Sequence, residues 1–175
     1  MTMVFLRFLA TLLICLTLSA CATVSRERTL PPSVRSVYIP MFVNRSAEIG
    51  IEEDATVLTQ KEFLADGRLD LATKRNSDAY VIVTIKEFDT DGISFDTDEY
   101  PRRLRQTIRA EVQVLKNKPG RAPYGPSREV TASRTYNSDK RSISYTPEPW
   151  ATEILLQEFA RQIVLEVITG RLDEP

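Results

Sequence analysis

Residues 78–88 read DAYVIVTIKEF and residues 103–116 read RLRQTIRAEVQVLK, and the contrast between the two stretches decides the fold. The first is a β-branched run, apolar on both faces from Ala79 to Ile85. That pattern suits a central strand covered by helices over at least its middle. The second alternates: Leu104, Ile108, Ala110, Val112 and Val114 fall on one face, and Arg103, Arg105, Thr107, Arg109, Glu111 and Gln113 on the other. Period two of this kind marks a strand with a core face and a wet face. Joined without a helix between them, two such strands pair antiparallel.

The connection, FDTDGISFDTDEYPR over 88–102, repeats its first four residues and carries five carboxylates: Asp89, Asp91, Asp96, Asp98 and Glu99. Oxygen-rich clusters suit hard cations such as calcium, but an EF-hand loop needs glycine at its sixth position and glutamate at its twelfth. Counted from Asp89, Gly92 falls at the fourth and Tyr100 at the twelfth. The plainer expectation is a solvated hairpin connection turned by Gly92 and the aspartates, with Ile93 and Phe95 extending the pairing beyond the sheet. Asp98 and Glu99 stand just before Arg102 and Arg103, and are expected to hold those arginines by ion pairing.

Upstream, VRSVYIPMFVN alternates with Val37, Ile39, Met41 and Val43 on one face, a strand that Pro40 pushes toward an edge or a bulge. Ile51 to Ala65 follows at helical spacing through Ile51, Ala55, Leu58 and Ala65, with Val57 and Leu64 beside them and Gly67 in C-cap position. Leu69–Thr73 is a candidate short strand. Downstream, NKPGRAPYGPS is a proline-rich loop, and REVTASRTYNS offers a strand through Val130, Ala132 and Tyr136. The last segment predicts a helix capped by Thr146, with Pro147 and Pro149 in its first turn. Leu156, Phe159, Ala160, Ile163 and Val167 form its stripe, and Gly170 closes it. The expected fold is α+β: a two-layer sandwich in which a mainly antiparallel (mixed) four-stranded sheet carries two helices on one face. A single domain over 34–170 and a tail, 171–175, are expected.

The chain opens MTMVFLRFLATLLICLTLSAC. Arg7 followed by the apolar run Phe8–Leu18 reads as a secretion signal, too short for the roughly 20 apolar residues of a bilayer span. Leu18-Ser19-Ala20-Cys21 resembles the lipobox of bacterial lipoproteins, which implies removal of residues 1–20 and lipidation of Cys21. Acyl chains on that residue would anchor the protein to a membrane. Ala22 stands where an aspartate would retain such a lipoprotein in the inner membrane, so the resemblance implies an outer-membrane, periplasm-facing address. Residues 21–33 then hold the lipid and a tether, whose eleven residues Ala22–Pro32 reach about 40 Å at full stretch.

On this reading Cys15 leaves with the signal and Cys21 is acylated, so no free thiol remains, and the sequence has no histidine. Ser-His and Cys-His nucleophile pairs and the common zinc sites are excluded, and no cofactor or metal is expected. A carboxylate glycosidase would need an acid of raised pKa, which hydrated turn residues do not supply. Losing Arg7 leaves 22 basic against 24 acidic side chains, a balance that gives no reason to expect nucleic acid.

Three stretches carry a family likeness: LPPSVRSVYIPMFVNRS, EFLADGRLDLATKRNSDAYVIVTIKEFDTD and RRLRQTIRAEVQVLKN. Over Leu30–Asn117 they resemble LptE-type lipopolysaccharide-assembly lipoproteins. Residues 37–46 are also similar to openings of lipoproteins that activate peptidoglycan synthesis or serve curli secretion. Two features depart from the family: Cys21-Ala22-Thr23 replaces its Cys-Gly-Tyr start, and a proline-rich loop replaces a tight glycine turn. The resemblance implies a non-enzymatic plug and partner of the outer-membrane barrel LptD that binds lipopolysaccharide. Arginine meets lipid A phosphates with a planar, bidentate fork. Arg102, Arg103 and Arg105 are therefore the candidate lipopolysaccharide-binding residues, joined by Lys140 and Arg141 if the YNSDKRS tip lies near. The alternative is a regulatory lipoprotein of a cell-wall synthase or a secretion assembly, which the short tether disfavours.

Overall fold

The computed structural model describes residues 30–169. The signal segment 1–20, Cys21, the tether up to residue 29, Gly170 as a helix stop and the tail 171–175 lie outside them. The described elements are β1 (Ser36–Tyr38), β2 (Val43–Asn44), α1 (Ile51–Asp66), β3 (Asp70–Leu71), β4 (Ala79–Phe95), β5 (Pro101–Lys116), β6 (Arg128–Asn137) and α2 (Glu148–Thr169). One mixed sheet runs β3-β1-β4-β5-β6, with β2 also pairing β4. The contacts of β1 with β3 and β4, and of β2 with β4, are parallel, whereas β4–β5 and β5–β6 are antiparallel.

The α+β class with two helices holds, but the sheet has six strands where four were expected. The alternation read through residues 35–43 breaks at Pro40: Phe42 is buried, while Met41 and Val43 are 59% and 46% exposed. The single expected strand thus splits into β1 and β2, and Leu69–Thr73 contributes the two-residue β3. Side chains of α1 take over the broken ladder. Thr56 Oγ1 accepts the Phe42 N–H at 3.0 Å, and Gln60 Nε2 donates to the Ile39 carbonyl at 3.1 Å.

Strands β4 and β5, of 17 and 16 residues, form a hairpin whose arms reach about 55 Å by strand geometry. Ile85 pairs with Ala110, Val83 with Val112 and Ile108 with Ala132, so all six turn to the same face. The β4–β5 register shifts between Ile85 and Glu87. Lys86 is the extra residue, and the bulge returns Phe88 to the core side opposite Ile108. Lys86 and Glu87 instead carry their charges to the open face, where they meet Glu111 at 2.7 Å and Arg109 at 3.2 Å. That face is not covered by helices, contrary to the expectation for a strand apolar on both sides. Tyr80 is buried there by the Tyr38 ring, edge-on at 5.4 Å, and by the Arg121 guanidinium 4.8 Å from its centroid.

Both helices pack on the other face and against each other. α1 ends as expected at Gly67, left-handed at φ 69° with its N–H on the Phe63 carbonyl. Its buried side is the expected one only in part: Ile51 and Ala55 face inward and Leu58 is half-buried as read, but Thr56, Thr59 and Phe63 complete the side, while Val57, Leu64 and Ala65 are exposed. The stripe of α2 is buried as read, widened by Leu155, Val164 and Ile168. Thr146 does not cap α2; its hydroxyl donates to the Ser144 carbonyl, and the Pro147 carbonyl accepts the N–H groups of Trp150 and Ala151.

Asp78 ties β1 to the start of β4. Its Oδ2 accepts the backbone N–H groups of Arg35 and Ser36 and the Ser36 hydroxyl, each at 2.9 Å. These bonds, led by the Arg35 N–H, hold its carboxyl below the usual value. A depressed folded pKa stabilises fully above the unfolded value of about 4, and that stabilisation fades as pH falls through the folded value. Asp78→Ala is expected to cost about 1–2 kcal/mol in urea unfolding at pH 7. The deficit against the parent should narrow below about pH 4, and a pH-independent deficit would contradict it.

Candidate functional site

The hairpin continues past the last core pair to a turn at Asp96–Tyr100, so the strand expected to end near Phe88 runs to Phe95. The connection extends the pairing as expected, through Gly92, Ser94 and Phe95, but Ile93 falls at a register shift between Gly92 and Ser94 and has no cross-strand partner. Asp96 organises the turn: its Oδ1 accepts the N–H groups of Asp98 at 3.0 Å and Tyr100 at 2.9 Å, and Glu99 takes a left-handed φ of 64°.

The loop after β6 folds back onto this tip. Ser138 donates its N–H to the Arg102 carbonyl and its hydroxyl to the Pro101 carbonyl, and Asn137 Nδ2 reaches the hydroxyls of Ser142 and Ser144. Asp139 Oδ1 accepts the Arg141 N–H at 2.9 Å. That bond first, then the Arg141 side chain and the charges of Arg141 and Arg102, hold the Asp139 carboxyl below its ordinary range.

The five candidate cations meet at this end but divide into two sets. Arg102 Nε lies 3.9 Å from Asp139, and Arg141 bridges Asp139 at 3.2 Å and Asp96 at 3.5 Å. Arg103 and Arg105 project from the open face of β5, with Ser94 and Asp91 as cross-strand neighbours, and form no ion pair among the described residues. Lys140 is exposed. The carboxylates that hold arginines are therefore Asp96 and Asp139, not Asp98 and Glu99. Asp139 was missed in the sequence, although an Asp two residues before Arg141 is a turn-forming signal. Exposed apolar side chains stand on the same segments: Ile93, Phe95 and Tyr100 on the hairpin, and Ile143 and Tyr145 on the loop.

The acidic residues of the connection do not converge. Asp89 and Asp91 line the open face of β4 with Glu87, and Asp98 and Glu99 sit in the turn. A hydrogen bond shared with Asp89, and the charges of Asp89 and Asp91, raise the Glu87 carboxyl against the pull of Arg109. Among the described residues no three acidic, cysteine or histidine side chains are grouped to hold a metal ion.

The sequence pattern of LptE, a lipopolysaccharide-assembly family, matches residues 34–169. The chain belongs to that family. The match passes well beyond Asn117, so the proline-rich loop, β6 and α2 are part of the LptE unit. No curated protein matches the chain by sequence. Among solved structures it is similar to the hypothetical protein CT253 from Chlamydia trachomatis, with TM-score 0.56 and 10% identity over 77% of this chain and 95% of that one. It is also similar to protein XCC0632 from Xanthomonas campestris, with TM-score 0.54 and 15% identity over 82% of this chain and 92% of the other. These likenesses share a fold and carry no function across.

Asp139→Ala is expected to speed amide hydrogen exchange at Arg141, whose N–H bonds to the Asp139 carboxylate, by about tenfold or more. Protection of Ile108 and Ala110 should be unchanged. Equal loss in both places would mean that the loop is not an independent clamp.

Proposed function

We propose that this LptE-family chain is an outer-membrane lipoprotein of lipopolysaccharide transport, anchored through Cys21 after removal of residues 1–20, and that it works by binding and not by catalysis. In this reading it is the plug and partner of an LptD-type barrel, and the projecting end of the β4–β5 hairpin meets lipopolysaccharide. The observation that carries it is the pair Arg103 and Arg105: two exposed guanidinium groups that form no ion pair within the described chain, on a strand whose Arg109 and Glu111 are already paired. An unpaired guanidinium can take a phosphate without first giving up a carboxylate, and its fork matches two phosphate oxygens. The exposed Phe95 and Tyr100 at the same end of the hairpin suit the apolar part of an amphipathic lipid. Arg102 and Arg141, held by Asp139 and Asp96, and Lys140 are the secondary contacts.

Binding of purified lipopolysaccharide to the detergent-solubilised chain tests the assignment. Arg103→Ala/Arg105→Ala is expected to weaken binding about tenfold, with a smaller effect from Arg102→Ala/Arg141→Ala and little preference left for phosphorylated over dephosphorylated lipid A. Unchanged affinity in the Arg103/Arg105 variant would overturn it. Purification from solubilised outer membranes tests the partner: recovery of a large barrel is expected, and a cell-wall synthase in its place would favour the regulatory reading.

A further inference from the structure

A second site lies on the helical side, in the groove between the first turns of α1 and α2. Its rim carries Glu48, Glu53 and Asp54 from the α1 side and Glu148 and Glu153 from α2, against the single cation Lys61. Its floor is apolar, made by Leu58, Phe88, Pro149 and Leu156. None of the five carboxylates forms an ion pair among the described residues. Helix N-termini attract carboxylates through the backbone dipole, which accounts for Glu53, Asp54 and Glu148. It does not account for Glu48, Glu153 or the residue at the bottom of the groove.

That residue is Gln106 of β5, which is 1% exposed. Its Nε2 donates to Thr152 Oγ1 at 2.8 Å, and Thr152 Oγ1 donates to the Glu148 carbonyl at 3.0 Å. A hydroxyl has one proton, so Thr152 can only accept from Gln106, and the amide is fixed with its nitrogen toward Thr152. Gln106 Oε1 is left buried without a partner. A buried acceptor with no donor costs free energy, and in a groove rimmed by carboxylates a cationic N–H donor suits it best.

We propose that this groove takes a lysine or arginine side chain presented by a partner protein chain. The stem lies on Leu58, Phe88 and Leu156, and the head donates to Gln106 Oε1 and the rim carboxylates. An apolar floor suits a methylene stem and not a hydrated metal ion. The exposed Ile49, Trp150 and Ile154, next in sequence to the groove residues Glu48, Pro149 and Glu153, offer contacts to residues flanking the basic one, which a free polyamine lacks. The site is separate from Arg103 and Arg105 and does not rest on the lipopolysaccharide reading.

The test is titration of the detergent-solubilised mature chain with three probes: the blocked peptide Ser-Leu-Arg-Leu-Ser, the same peptide with citrulline for arginine, and spermidine. The arginine peptide is expected to shift the Gln106 side-chain amide resonance saturably, and citrulline to weaken binding at least about tenfold. Glu148→Gln/Glu153→Gln should weaken it similarly, and Arg103→Ala/Arg105→Ala should leave it unchanged. Gln106→Leu removes the unmet acceptor, so it should keep or raise the melting temperature while losing the peptide. The proposal is overturned if no saturable shift is seen, if citrulline binds equally, or if spermidine binds as tightly as the peptide. It also fails if Gln106→Leu lowers the melting temperature and binds normally.

Discussion

The register of β4 against β5 is the constraint on which the rest depends. With Val83 opposite Val112 and Ile85 opposite Ala110, one face of the hairpin is apolar and the other carries charge. A one-residue slip would send every side chain of one strand to the opposite face. The bulge at Lys86 makes one such change deliberately, in one strand only, and keeps Phe88 with the core while Glu87 joins Arg109. Farther along the same register, Arg103 and Arg105 emerge on the open face and Arg102 on the other, beside Asp139. The separation of Arg102 from Arg103 and Arg105 is thus a consequence of strand alternation.

Much of this was legible from local pattern. The clean alternation of residues 104–114, the stripe of α2 and the glycine stop of α1 each need only their own segment to be read. The buried side of α1 was legible only in part, because the rest is set from outside the helix. Thr56 and Gln60 are turned toward the sheet by the N–H of Phe42 and the carbonyl of Ile39, which the break at Pro40 leaves without strand partners. That requirement outweighs the apolar character of Val57 and Leu64. At the candidate site, residue type was readable and pairing was not: Asp96 and Arg141 are 45 residues apart, and only the fold-back of the loop after β6 brings them together.

The two ends of the acidic connection have different tasks. Asp96, with a side chain 8% exposed, is committed to the turn and to Arg141, whereas Arg141 itself remains 74% exposed. A tip built this way has a backbone held by the Asp96 side chain and a solvent-exposed charged surface. The groove between the helix starts is of the opposite kind: acidic, apolar-floored and centred on one oriented amide oxygen. On the two proposals, an anionic lipid would be met at the hairpin end and a basic polypeptide on the helical side, and neither contact would compete with the other.

Site-specific photocrosslinking in cells asks most directly which part of the molecule meets lipopolysaccharide. A photoreactive residue at Tyr100, on the hairpin tip, is expected to give a lipopolysaccharide adduct, and one at the exposed Leu165 near the far end of α2 is expected to give none. An adduct from Leu165 with none from Tyr100 would contradict the assignment of the hairpin end as the lipopolysaccharide-binding surface.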